Sequence, residues 1–248
     1  MPQPSFAKLV SRLELTVPLI GFYDTIDTEP FKPLIKPAPG ARPCMFCFYK
    51  QWLIGKTLHI AADSVCGGAG YWLLGQTQIS REEFVRFLVD EEGLKISYRL
   101  MNQWLDSSRR YKPEHLNLFI GPLKESQYEY LKTVTFYVNP DQLSALILGA
   151  QYQSSPSDPP AVIAPFGSTC MQILPLFNDF DLPQAIIGAT DIAMRRYLPD
   201  NILSLSVTKA MFEKLCALDE QSFLYKQFWN RLVKARRHSQ YMDLISGS

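Results

Sequence analysis

Three cysteines in this chain stand beside residues that would bring the backbone close to a bound ligand. Cys44 follows Pro43 and opens Cys44-Met45-Phe46-Cys47; Cys66 leads into Gly67-Gly68-Ala69-Gly70; Cys170 closes Phe166-Gly167-Ser168-Thr169-Cys170. Thiolates bind soft metals and iron–sulfur clusters. Glycines let the main chain approach a bulky ligand and aim N–H groups at its negative charge. The pattern therefore points to a centre held by Cys44, Cys66 and Cys170, with Gly67, Gly68 and Gly167 against it. An iron–sulfur cluster is the expected cofactor and zinc the alternative. Three cysteines leave one position of a four-iron cluster for Cys47, a non-cysteine group or a substrate.

Other readings of the same residues stay open. Cys44 and Cys47 share a helix face and could serve one metal or form a thiol-redox pair. There is no second C-x-x-C, which structural zinc sites usually show. Gly67 to Gly70 could cradle an anion or form a tight turn under Tyr71 and Trp72; the spacing is that of neither a P-loop nor a dinucleotide fingerprint. A metal-free module binding a small ligand through the glycine turns at 67–70 and 167 is the other function class. Asp191 and Arg195, four apart, could pair or face a ligand together. Cys216, within Met211-Phe212-Glu213-Lys214-Leu215-Cys216, suits core packing. His59 reads as a half-buried strand residue and His115 as a surface one. No Ser-His-Asp or paired-carboxylate set can be assembled from histidines so placed.

The elements that must position these residues alternate. Phe6, Leu9, Val10 and Leu13 recur at helical spacing. A strand is expected over 17–23, then a proline-rich irregular connection over 24–43. Cys44 to Ile54 is expected as a short helix, Thr57 to Ala61 as a strand, and the Cys66 glycines as a loop before a helical turn at 71–74. Ser80 and Glu83 form a capping box for a helix to about 90, and 95–106 is a second helix. Strands are expected at 116–120 and 133–138. Asn139-Pro140 starts a helix to about 150. Further on come strands at 161–165, 184–187 and 202–207, and helices at 170–177, 208–218 and 222–238. No sequence repeat is visible. The fold class is α/β (or α+β), a single layered domain over 1–248 with a mixed sheet and flanking helices.

Composition narrows the function classes. With 25 basic against 24 acidic residues, the formal charge is +1, so no global field favours nucleic acid or an anionic membrane. Lys234-Ala235-Arg236-Arg237-His238 is expected to end a helix. No apolar run reaches membrane-spanning length and the first residues lack a signal-peptide pattern, so a cytoplasmic protein is expected. Five cysteines there are thiols or ligands rather than disulfides.

From Cys44 onward the chain resembles the family catalogued as domain of unknown function 169. The resemblance rests on Cys44-Met45-Phe46, Gly55-Lys56-Thr57 and Asp63-Ser64-Val65-Cys66-Gly67-Gly68-Ala69-Gly70-Tyr71-Trp72-Leu73-Leu74-Gly75. It continues through Asn139-Pro140-Asp141-Gln142-Leu143-Ser144-Ala145-Leu146, Ile163-Ala164-Pro165-Phe166-Gly167-Ser168-Thr169-Cys170 and Gly188-Ala189-Thr190-Asp191-Ile192-Ala193-Met194-Arg195. Cys44, Cys66 and Cys170 match that family's cysteine positions, while Cys47 falls where it has another residue. The resemblance implies an intact fold and a site, and no particular reaction. A small molecule is the expected partner.

Overall fold

The strand-forming segments meet in one mixed sheet of eight strands. The computed structural model describes residues 6–38, 40–62, 64–75, 79–115, 117–173 and 182–246. The strands are β1 (Ile20–Thr25), β2 (Leu34–Ile35), β3 (Thr57–Ile60), β4 (Asn117–Pro122), β5 (Leu131–Val138), β6 (Val162–Ile163), β7 (Ala185–Gly188) and β8 (Leu203–Thr208). Across the sheet they run β2-β3-β4-β1-β5-β8-β7-β6. The outer pairs, β2 with β3 and β6 with β7, are parallel; all other neighbours are antiparallel. This is an α/β protein, and among the described residues no helix is long and apolar enough to cross a membrane.

Successive strand side chains point to opposite faces, and each face builds its own core. Tyr23, Phe119, Val134, Phe136, Leu205 and Val207 point to one side. They meet α1 (Ala7–Arg12), α6 (Pro140–Ala150), α9 (Lys209–Cys216) and α10 (Gln227–Ser246). Ile20, Phe22, Leu58, Ile60, Leu118 and Ile120 point to the other side. There they lie under α2 (Tyr49–Leu53), α3 (Gly67–Leu73), α4 (Arg81–Arg86), α5 (Tyr98–Ser107), α7 (Thr169–Ile173) and α8 (Ile192–Arg195). Trp52 and Trp72 are fully buried in that second layer, each a side chain whose burial is worth about 3 kcal/mol or more.

Local chemistry explains several boundaries. Asn139 Oδ1 accepts from Gln142 N at 2.9 Å and Gln142 Oε1 accepts from Asn139 N at 3.1 Å, so α6 starts with its free amides satisfied. The Gln142 amide also donates to the carbonyls of Leu13 and Glu14, fastening the end of α1. The Ser80–Glu83 box starts α4 as expected. That helix then widens into a π-turn over Phe87–Glu91.

Some expectations need correction. The glycines after Cys66 begin α3 itself instead of a loop. Cys44 precedes a 3₁₀ turn (Met45–Phe48), and regular helix starts only at Tyr49. The proline-rich segment is packed and partly regular: it carries β2, and Phe31 stacks on Phe119 with ring centroids 4.4 Å apart. The basic run 234–238 does not end a helix. It lies inside α10, where Arg236 and Arg237 pair with Asp141 and Glu14. Leu116, the first residue of one expected strand, and residues 174–177 of one expected helix lie outside the described residues, as does Asp63.

Candidate functional site

Three separate connections bring the cysteines to one place. Cys44 lies between β2 and β3, Cys66 caps α3 just after β3, and Cys170 is in the first turn of α7, between β6 and β7. Cys66 N donates to Pro43 O at 3.0 Å, pinning the first two cysteine segments together. Helix α3 packs against α7, which brings in the third. Asp191 caps α8, its Oδ1 accepting from Ala193 N at 3.0 Å, and its Oδ2 accepts from Thr169 N at 3.4 Å.

Cys44, Cys66, Cys170, Gly67, Gly68, Ser168 and Asp191 all line one cavity of about 360 Å³. Its remaining wall is largely aromatic, with Phe46, Trp72, Phe84, Phe87, Trp104 and Tyr197, and Glu92 and Arg196 also reach it. Trp72 and Trp104 meet edge to face at 5.2 Å. A Cβ on Gly67 would find only Ile79, at 3.7 Å, and one on Gly68 only the Cys66 sulfur, at 4.0 Å. The space above both glycines is therefore open to a ligand.

Cys66 is the electrostatic centre. Its thiol is pulled down to about 3, first by the Cys170 thiol and then by that of Cys44, with backbone amides of Ala69 and Gly68 helping against burial. A thiolate at a helix start beside two thiols is the physical sense of that shift. The two neighbours move the other way: Cys44 and Cys170 are both raised, first by Cys66 and then by burial. In metal-free protein, alkylation of Cys66 by iodoacetamide should therefore proceed at a rate nearly flat between about pH 5 and pH 8. An ordinary thiol would accelerate about tenfold per pH unit over that range. Mass spectrometry of the Cys66 peptide reads the rate, and a tenfold rise per unit would refute the assignment.

The three sulfurs are adjacent but not tightly clustered. Among the described residues, the one group of three His, Cys, Asp or Glu ligand atoms that all lie within 4.8 Å of one another is Asp24, Glu114 and His115. That group has another explanation. The buried Asp24 carboxylate accepts from Tyr111 Oη (2.5 Å), Glu114 N (2.7 Å) and His115 N (2.9 Å), with His115 Nδ1 at 3.1 Å. Tyr111 N in turn donates to Trp72 O at 2.9 Å. The group ties the β3–β4 excursion back to β1 and steadies Trp72.

The other candidate residues lie elsewhere or differently. Cys47 packs half-buried against the core, and its thiol is raised first by burial. Cys216 packs in the opposite core, also raised by burial, to about 12. His59 lies on Phe119, on the far face of the sheet. Gly167, at φ +148°, sits against Met171 and Trp104. Arg195 does not pair with Asp191; its guanidinium donates to the carbonyls of Ile202, Asp200, Pro199 and Ala189.

Glu92 and Tyr137 had no sequence signal, and Ser168 and Thr169 drew none beyond their place beside Cys170. The Glu92 carboxyl is raised to about 7 by burial, Asp191, Cys66 and Glu91, and a carboxyl so placed can carry a proton at neutral pH. The hydroxyls of Tyr137, Ser168 and Thr169 are buried without a hydrogen-bond partner. Tyr137 is within electrostatic reach of Cys170 and Cys44. Only the fold, by bringing these segments together, marks them.

No curated protein and no solved structure matches the chain. One family model, described as Uncharacterised ArCR, matches residues 8–217, a span that contains every strand of the sheet and all five cysteines. The chain therefore belongs to this uncharacterised family, domain of unknown function 169.

Proposed function

We propose that Cys44, Cys66 and Cys170 hold an iron–sulfur cluster and that the aromatic cavity admits a small organic molecule to it. The observation that carries this reading is that all three cysteines line the same cavity from three separate connections. The Cys44 and Cys170 thiols both lie within hydrogen-bonding reach of Cys66, a set that suits a thiophilic centre, with zinc the alternative to a cluster.

The surroundings fit such a group. The unpartnered Ser168, Thr169 and Tyr137 hydroxyls can donate to thiolate or sulfide sulfur. The open space above Gly67 and Gly68 gives a large anion room, with the Ala69 and Gly68 amides directed at Cys66. Trp72, Phe84 and Trp104 exclude water and offer flat apolar surface to a ligand. When bound, the cluster would supply an electron or a Lewis-acidic iron to that ligand.

The test is anaerobic purification followed by a visible absorption spectrum and iron and sulfide analysis. A coloured protein with iron and sulfide in similar amounts is expected. A colourless protein that takes up neither, even when incubated with ferrous iron and sulfide, would refute the reading.

A further inference from the structure

The sheet is built twice. In β1 to β4 the first strand neighbours the fourth, the fourth the third, and the third the second; β5 to β8 repeat this order on the other side of the β1–β5 seam. Each half ends in the same parallel pair with the same offset: Leu34 pairs with Thr57 and Val162 with Ala185 (57 − 34 and 185 − 162 are both 23). The two central strands, β1 and β5, are antiparallel. This is the arrangement that a two-fold rotation about an axis through the seam would generate.

The rotation relates the site residues as well. The connection from second to third strand carries Cys44 in one half and Cys170 in the other. The residue that caps the first helix after the third strand is Cys66 in one half. In the other half it is Asp191. From this juxtaposition we infer that Asp191 is the fourth ligand of the centre, standing where the second half would otherwise present a cysteine.

Further observations agree. Asp191 lines the same cavity as the three cysteines. Its carboxylate spends one acceptor site on each of two backbone amides, which leaves lone pairs for a metal. Among the described residues no cation pairs with it, although it is half-buried. A carboxylate withdrawn from water calls for a positive partner, and an iron would be one. The inference rests on the cysteine reading above but goes beyond it, because it fills the position left open there.

Asp191→Asn separates ligation from capping, since asparagine caps helices as well as aspartate does but is a poor iron ligand. The parent and the variant would be incubated anaerobically with ferrous iron and sulfide, then briefly oxidised. The parent should keep four irons per chain and the variant about three, a loss of about a quarter. The Mössbauer signal of one iron should change while the thermal melt stays near the parent's. Asp191→Cys should keep all the iron and shift the reduction potential. An Asp191→Asn protein matching the parent in iron retention and spectrum would overturn the inference and leave the cysteines untouched. If that variant fails to fold, an Asp191→Cys protein with the parent's spectrum and potential overturns it instead. A parent that takes up no iron and sulfide refutes the cysteine reading itself, and this inference with it.

Discussion

On the proposed iron–sulfur reading, changing Cys66 to serine should strip the protein of iron and sulfide. Cys66 adjoins both Cys170 and Cys44, and its thiolate receives the amides of α3, so it is the sulfur the other two are organised around. Losing a group that merely orients a ligand costs about 10- to 100-fold in metal affinity, so losing the ligand itself should cost no less. Iron retained per chain after desalting should fall well below the parent's. Cys47→Ser is the control. Cys47 packs against the core and does not line the cavity, so its variant should keep parental iron and colour. Parental iron in the Cys66 variant would defeat the assignment. Equal losses in both variants would show that Cys47 is a ligand. A metal-free binding pocket, the competing view, would instead tolerate serine at Cys44, Cys66 and Cys170 with mild effects and no colour to lose.

The largest loss of stability from a small change is expected at Gly167. Its φ of +148° is one that L side chains rarely adopt, and a Cβ there would stand 2.2 Å from Met171 Cε and 3.1 Å from Trp104 Cζ2. Backbone strain of this kind costs about 1–3 kcal/mol, and overpacking a core adds about 1–3 kcal/mol. Gly167→Ala should therefore destabilise by about 3 kcal/mol and lower the urea midpoint by about 1 M or more. Adding Met171→Ala should not restore it, because truncating that buried side chain costs about 2–5 kcal/mol of its own and leaves the backbone strain. An unchanged midpoint in the single variant would contradict the argument. Since Cys170 follows three residues later, the same variant should also hold less iron if the proposed cluster is present.

Where local chemistry decides, the sequence was a good guide. Asn139, Pro140 and Gln142 specify the start of α6 by themselves, because cap, ring and side-chain amide all act within four residues. The three cysteines stood out by their glycine and proline neighbours. Other features depend on distant partners and could not be read locally. Glycine disfavours helix by about 1 kcal/mol per residue, so Gly67 to Gly70 suggested a loop; the packing of α3 against α7 outweighs that preference. Phe31 lies among prolines, and its partner Phe119 is far along the chain. Asp191 and Arg195 have the spacing of a helical pair, but α8 is so short that Asp191 is its cap, and the guanidinium instead gathers the carbonyls that follow the helix. The repeated strand order could not be read from the sequence, because Cys44 and Cys170 match in type but Cys66 and Asp191, at the other related position, do not.

That repetition has a consequence for how the chain comes off the ribosome. The first half emerges carrying Cys44 and Cys66, and about a hundred residues separate Cys66 from Cys170. At roughly 5–20 residues per second, Cys170 follows many seconds later. Once β4 has emerged, β1 has it on one side and nothing on the other, an open edge of the kind that recruits foreign strands, but β5 follows within about ten residues and closes it. Cys170 and Asp191 emerge only later, with the segments between β6 and β8. The Cys44 and Cys66 thiols therefore wait for their partners well after the strand edge is covered, so the hazard of a stray soft ion outlasts the hazard of aggregation.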